Sequence, residues 1–341
     1  MSQTPPPDGR TAKWILLLTL LLMLLGRLAS GAESPARKPL ADVYQEAKRA
    51  SVEVLVDGHL GGSGFFVDAE GLLVTAAHVV APPTRPIEIL SPVAGRIEAD
   101  VVAVDLGHDL VLLRAKPRQD GYPALPLAEE LPSPGDDVFL LGAPLYRHAV
   151  MLRGMVARDD TAFEFYTGHY VEAVHVACTV QNGMSGGLWI NHGGQVVGLQ
   201  SGVISMNSIP IGVASMIPCT AIRTLLKNGR SAATPTIGAA IEELWQHGAD
   251  VLGRFPPRTE GLVFRTIEKD GPAGRAGLKE WDAIIAADGQ KVRLSGDLLR
   301  IVRAKQPGEE LKLTILGPDG TGTREVTLRL GTLEVGWPGA E

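Results

Sequence analysis

Apolar positions come in short β-branched runs, cut by Gly, Pro, Asp and Asn. The runs Val52–Val56, Gly64–Val67, Leu72–Thr75, Val101–Val104, Leu110–Leu113 and Val138–Leu141 predict strands, as do Tyr170–Val176, Gly187–Ile190 and Gln195–Gln200. Many short strands with turn signals between them predict a barrel or sandwich. Two stretches break the pattern with helical spacing, Ala41–Ala50 and Thr220–Lys227; Asn228-Gly229 closes the second. Gly229–Thr236 is small and polar with a proline, the composition of a linker. Beyond it the texture changes. Leu262–Ile267, Lys312–Leu316 and Glu325–Leu330 predict strands, and Gly296–Ala304 a helix with Leu298, Leu299 and Val302 on one face. That is one α+β module, and no repeat of solenoid period runs through the chain.

Length and composition narrow this further. The 341 residues leave room for two or three domains, 45% hydrophobic content supplies cores, and 40 glycines and 24 prolines fit many turns. A net charge of −6 without a basic block argues against nucleic acid as a partner. Residues 1–32 are not fold material. Arg10 and Lys13 precede the apolar run Trp14–Leu25, and Ser30-Gly31-Ala32 follows, the order of a secretory signal. As a helix the run spans about 18 Å, short of the ~30 Å hydrocarbon core, which favours a cleaved signal over an anchor. Either way the folded part is expected outside the cytoplasm, with membrane contact only through this segment. Cys178 and Cys219 are too few for a disulfide framework and read as small buried hydrophobes rather than a bridge.

The chemistry begins at Asn182-Gly183-Met184-Ser185-Gly186-Gly187. A nucleophilic serine needs a base beside it, exposure on a tight turn, and backbone N–H groups aimed at the developing oxyanion. The string also fits Gly-x-Ser-x-Gly, the elbow of α/β-hydrolases, which requires a helix after the serine and the histidine later in the chain. Here Leu188-Trp189-Ile190, Asn191-His192-Gly193-Gly194 and Val196-Val197 follow, which is a hairpin, so the base must lie upstream. Of eight histidines, His78 has the most persuasive frame, Thr75-Ala76-Ala77-His78-Val79-Val80, and Asp109 opens the apolar run Leu110–Leu113. His, Asp, Ser is the chain order of the chymotrypsin-type triad. His175-x-x-Cys178, the one spacing of metal type, lacks a second ligand pair, and the chemistry calls for no metal or cofactor.

Residues 52–227 resemble the trypsin-like domain of the HtrA/Deg family. The resemblance rests on Gly62-Ser63-Gly64-Phe65-Phe66-Val67 with the His78 frame, Asp109–Leu113, Gly142-Ala143-Pro144, the Ser185 loop, and Gly212-Val213-Ala214 through Ile217-Pro218. Two positions depart from it: Met184 stands for the usual Asn and Leu188 for a Pro. The second module resembles a PDZ domain at Glu260–Phe264, at Gly271–Leu278 followed by Trp281–Ile285, and at the Asp288-Gly289 turn; Trp281 stands where Gly is common.

The resemblance implies a mainly β fold: a chymotrypsin-like double β-barrel protease domain followed by a small α+β PDZ domain. The expected boundaries are signal 1–32, spacer 33–40, protease domain 41–228, linker 229–236, PDZ domain 237–332 and tail 333–341. The implied roles are catalysis by His78, Asp109 and Ser185, and an oxyanion hole from the N–H groups of Gly183 and Ser185. A substrate cleft is implied at Val180, Leu199, Gln200, Ser201 and Val213, taking a small or medium apolar side chain, and PDZ peptide binding at Gly261, Leu262, Val263 and Phe264. The implied activity is endopeptidase action on unfolded extracytoplasmic proteins, with peptide C-termini as PDZ partners and a homo-trimer by family analogy. The competing reading is an inactive PDZ scaffold.

Overall fold

The computed structural model describes residues 37–80, 85–166, 168–318 and 322–333. The expected signal segment and nearly all of the tail lie outside these residues. No described helix is long and apolar enough to cross a membrane.

Helix α1 (Leu40–Ala50) buries Val43, Ala47 and Ala50, the stripe its spacing predicts. Six antiparallel strands then close a barrel in the order β1-β2-β3-β6-β5-β4. They are β1 (Ser51–Val56), β2 (His59–Phe66), β3 (Leu72–Ala76), β4 (Ile87–Ser91), β5 (Gly95–Asp105) and β6 (Leu110–Ala115). Phe65, Phe66, Leu73, Ile89, Leu112 and Leu113 fill its core.

A second barrel follows from β7 (Asp137–Gly142), β8 (Val150–Val156), β10 (His169–Ala177), β11 (Leu188–Ile190), β12 (Val196–Met206) and β13 (Ile209–Pro218). The order β13-β12-β11-β7-β8-β10 closes through β10–β13 pairing, and β9 (Ala162–Tyr166) hangs on β10 as a hairpin. The double barrel expected from sequence is present. Cys178 and Cys219 are both free thiols; Cys219 is buried, and burial pushes its thiol pKa up.

Helix α2 (Cys219–Asn228) ends on Gly229 in the left-handed region at φ 60°. The expected linker is packed down rather than free: Ala232 N–H donates to Val104 O at 2.9 Å, and Val104 N–H to Ser231 Oγ at 3.1 Å.

The C-terminal sheet runs β15-β16-β17-β19-β20. Its strands are β15 (Ala239–Glu243), β16 (Leu262–Ile267), β17 (Ala283–Ala287), β19 (Glu310–Leu316) and β20 (Thr323–Arg329). The two-residue β14 (Pro235–Thr236) and β21 (Gly331–Thr332) pair where the chain enters and leaves the module, and β18 (Gln290–Lys291) pairs β17. Two short helices, α3 (Ala249–Leu252) and α4 (Pro272–Arg275), precede α5 (Ser295–Arg303), which buries the expected Leu298, Leu299 and Val302. Asp288 and Gly289 both have positive φ, as a type I′ hairpin turn requires. Trp281, at the position where the PDZ resemblance leads one to expect Gly, holds φ 70°, with the Arg265 guanidinium 4.2 Å from its ring centroid.

Candidate active site

The site lies between the barrels, where three turns meet. The turn after β3 carries His78 and the turn before β6 carries Asp109. Asp109 sits in the left-handed region at φ 50°, a conformation Asp tolerates better than most residues. Its carbonyl accepts from Ala77 N–H at 2.9 Å and its Oδ1 from His78 N–H at 3.0 Å, so backbone bonds lock the two turns together. The side chains meet at 2.7 Å, His78 Nδ1 to Asp109 Oδ2. This pairing fixes the proton on Nδ1 and leaves Nε2 as the basic nitrogen. Burial of the imidazole works against its charge, but the Asp109 carboxylate outweighs that and holds the His78 pKa above its ordinary value.

The nucleophile loop is pressed against the first barrel. Ser63 N–H donates to Ser185 O at 2.7 Å, and Ser63 Oγ donates to Gly183 O at 2.8 Å while accepting from Ala143 N–H at 3.1 Å. No Cβ fits at Gly186: it would lie 1.9 Å from Ser63 O. Gly183 has φ 95°, and a Cβ there would lie 2.3 Å from Ala143 O. Among the described residues, the N–H groups of Gly183 and Ser185 donate to no protein acceptor. Two such N–H groups flanking a serine are what an oxyanion hole needs. Met184 between them is fully buried, packed with Val138, Leu140 and Trp189, and anchors the loop in the second core.

Ser185 Oγ donates to Ser201 O at 3.2 Å. Among the described residues no hydrogen bond joins it to His78. The geometry therefore brings His78 and Asp109 into contact and leaves the serine hydroxyl resting on a neighbouring carbonyl. Ser201 does more than line a cleft: its Oγ donates to Asp109 Oδ2 at 2.5 Å. The sequence named Ser201 but missed this link, which only the β12 bulge creates, where Ser201 and Gly202 together oppose Ser215.

The other expected cleft residues divide. Leu199 and Val180 are core side chains. Gln200 is buried, accepting from Trp189 Nε1 at 3.0 Å and donating to Gly202 O at 2.7 Å. Val213 is half-buried between Ile204 and Ala177. The open space beside Ser201 is a cavity of about 300 Å³ bounded by Glu164–Tyr166 of β9 and Gly202–Ser205 of β12. The Tyr166 ring lies edge-on to His78 at 5.4 Å. The sequence had assigned β9 no part in the site.

The expected PDZ groove is also displaced. Leu262, Val263 and Phe264 are fully buried, and β16 is paired on both sides, by β15 and β17. A strand with no open edge cannot add a peptide. The free edge belongs to β15, with Ile237-Gly238 just before it and α5 alongside. The signal missed was Ile237-Gly238 at the start of the expected PDZ domain, which opens the edge strand β15.

Comparison with known proteins agrees with this layout. Residues 62–199 match the trypsin-like peptidase domain and residues 236–328 the PDZ domain. The chain therefore carries a trypsin-like peptidase domain followed by a PDZ domain. A probable periplasmic serine endoprotease, DegP-like, of Halomonas elongata is 28% identical over 286 residues, covering 82% of this chain and 57% of that protein. The Rhizobium meliloti protein of the same description is 26% identical over 304 residues, covering 88% and 59%. The chain thus spans just over half the length of the curated relatives it matches. The solved HtrA-type protease AlgW with decapeptide superposes at TM-score 0.64 with 19% identity, covering 87% of this chain and 99% of that one. A serine endoprotease from Yersinia pestis gives 0.60 with 20% identity, covering 88% and 100%. These structures share the HtrA fold.

Proposed function

We propose that this chain is a serine endopeptidase in which Ser185 attacks the scissile carbonyl. His78 Nε2 takes the hydroxyl proton and returns it to the leaving amine, and Asp109 holds the tautomer and stabilises the imidazolium. Attack requires the Ser185 hydroxyl to leave Ser201 O for His78 Nε2. The N–H groups of Gly183 and Ser185 receive the oxyanion. The observation that carries the reading is the 2.7 Å His78–Asp109 pair beside Ser185, whose own N–H and that of Gly183 donate to no protein acceptor among the described residues.

The substrate class is unfolded protein outside the cytoplasm. The relatives named probable periplasmic serine endoproteases and the signal-like start of the chain support that compartment. The protease domain is taken as 41–228, the PDZ domain as 237–332 and the assembly as a trimer, the last by family analogy, which sedimentation tests. The PDZ domain reads peptide C-termini, at the β15 edge rather than at Gly261–Phe264. The resting bond from Ser185 to Ser201 O is the one feature favouring the alternative, an inactive scaffold.

Fluorophosphonate labelling and casein cleavage decide between them. Both are expected in the parent chain and absent in Ser185→Ala. Equal casein turnover by the two proteins overturns the triad.

A further inference from the structure

A cavity of about 350 Å³ opens between α1, β1, β4 and the turn that joins β7 to β8. It shares no residue with the cavity beside Ser201 and none with the PDZ domain. Its volume falls in the ~300–1,000 Å³ range of small-molecule sites. The walls are largely apolar, from Val52, Leu90, Pro92, Ala143 and Ala149.

The polar groups on the lining are committed, with one exception. Ser51 Oγ donates to Lys48 O at 3.0 Å, Ser63 Oγ donates to Gly183 O at 2.8 Å, and Ser91 Oγ accepts from Val93 N–H at 3.3 Å. Glu53, the one acid on the lining, is turned onto His148 Nδ1. The exception is Lys48. Among the described residues its ammonium makes no ion pair and no hydrogen bond. A ligand rich in polar groups would leave them without partners on these walls. An apolar body with a single anionic head suits both the walls and the free ammonium.

The helix that carries Lys48 also holds the turn. One turn earlier on the same face of α1, Tyr44 Oη donates to Ala149 O at 3.0 Å. The turn has three residues other than glycine in the left-handed region: Leu145 at φ 46°, Tyr146 at 63° and Ala149 at 51°. Such conformations persist only where the surroundings impose them.

We propose that this cavity is a binding site for a medium-chain alkyl monocarboxylate, with the carboxylate on Lys48 and the chain against Val52, Leu90 and Ala143. Occupancy bears on the nucleophile loop, because Ser63 and Ala143 both form part of the wall. Ser63 Oγ joins Gly183 O to Ala143 N–H, and Leu145 N–H donates to Asn182 O at 2.9 Å. A ligand that braces the turn therefore braces the loop that aims the N–H groups of Gly183 and Ser185. This second step rests on the proposed role of Ser185, whereas the binding itself does not.

The test titrates the full chain with hexanoate, octanoate and decanoate by isothermal calorimetry, each below the concentration at which it aggregates. The variants are Lys48→Gln and Leu90→Ser; Leu90 is 39% exposed, so its replacement leaves the barrel core intact. One site is expected, tightening about tenfold for each added pair of CH₂ groups. Lys48→Gln is expected to weaken decanoate binding about tenfold, and Leu90→Ser to flatten the dependence on chain length. Fluorophosphonate labelling of Ser185 should quicken severalfold when decanoate half-saturates the parent, and far less in Lys48→Gln at the same concentration. Saturable binding with labelling unmoved upholds the site and overturns its link to the nucleophile loop. Saturable binding with none of the proteins labelled upholds the site and sinks the Ser185 reading. No saturable decanoate binding by the parent, or equal affinity in the parent and both variants, overturns the site.

Discussion

Ser201 Oγ donates to Asp109 Oδ2 at 2.5 Å, so the acid that orients His78 is itself held by a buried hydroxyl. Asp109 accepts three bonds, from this hydroxyl, from His78 Nδ1 and from His78 N–H. A hydrogen bond to a charged group contributes about 1.5–3 kcal/mol. Ser201→Ala keeps the backbone carbonyl on which Ser185 rests and removes only the hydroxyl. It is expected to slow fluorophosphonate labelling of Ser185 about tenfold and to lower the melting temperature by several degrees. A labelling rate equal to that of the parent would show that Asp109 needs no such support.

In the proposed mechanism the His78–Asp109 pair also sets the acid limb of activity. His78 acts as base only when neutral, and its pKa is held above 6.5 by Asp109 against the opposing effect of burial. Labelling is therefore expected to fall as pH drops through a midpoint above 6.5. In Asp109→Asn the desolvation acts unopposed, so the midpoint moves below 6.5. The rate also falls, by a factor on the order of 10⁴ where the wrong tautomer dominates. A midpoint that stays put in Asp109→Asn would place the titration elsewhere.

Gly183 and Gly135 have nearly the same φ, 95° and 92°, in different surroundings. A Cβ at Gly183 meets Ala143 O at 2.3 Å, whereas at Gly135 it meets nothing within 4 Å. Both Ala variants bear the left-handed strain of about 1–2 kcal/mol. Only Gly183→Ala must also move the loop that aims the oxyanion N–H groups, and losing one such donor costs roughly 2.7–4 kcal/mol of transition-state stabilisation. Gly183→Ala is expected to lose at least a hundredfold in peptide hydrolysis while Gly135→Ala keeps near-parent rates. Similar losses in both would reduce the effect to backbone strain.

The double barrel and the His78–Asp109 pair were legible because each depends on local pattern. β-branched runs marked β1, β3, β6, β7 and β10, and small residues framed His78 and Ser185. What escaped were elements that exist only through their partners. β15 is Ala-Ala-Ile-Glu-Glu, poor in strand formers, and is a strand because β16 pairs with it. β13 begins Ile-Pro-Ile-Gly, which reads as a turn until β10 and β12 flank it. The cleft and groove residues were carried over by position along the chain. Leu199, Gln200 and Leu262–Phe264 turned inward because strand edges and side-chain facing are set by sheet order, which no local window contains.

His108 supplies a stability switch one residue before Asp109. Its Nδ1 lies 2.7 Å from Asp105 Oδ2 and its Nε2 3.6 Å from Glu172 Oε2. Arg303, from α5 of the PDZ domain, is the cation facing the same two carboxylates. Burial disfavours charge on His108, but hydrogen bonds and attraction from Asp105 and Glu172 prevail and raise its pKa from 6.5 to about 9. A raised folded-state pKa contributes stability that is complete below pH 6.5 and is lost as pH rises through about 9. At 1.36 kcal/mol per unit the full contribution is on the order of 3 kcal/mol. Between pH 6 and pH 10 the parent is therefore expected to lose several degrees in melting temperature from this cluster. His108→Gln, uncharged throughout, should melt lower than the parent at pH 6 and match it at pH 10. Parallel pH profiles for parent and variant would remove His108 as the titrating group. The carboxylates impose the opposite limit: Asp105 and Glu172 both have lowered pKa values, so their contribution is lost as pH falls through those values. Asp105, His108 and Glu172 sit where the Asp109 turn, the β9–β10 hairpin and α5 meet, so alkaline pH is expected to loosen the PDZ contact before either barrel unfolds. Exchange at Ile241 that accelerates above pH 9, ahead of amides in β6, is the measurement that checks it.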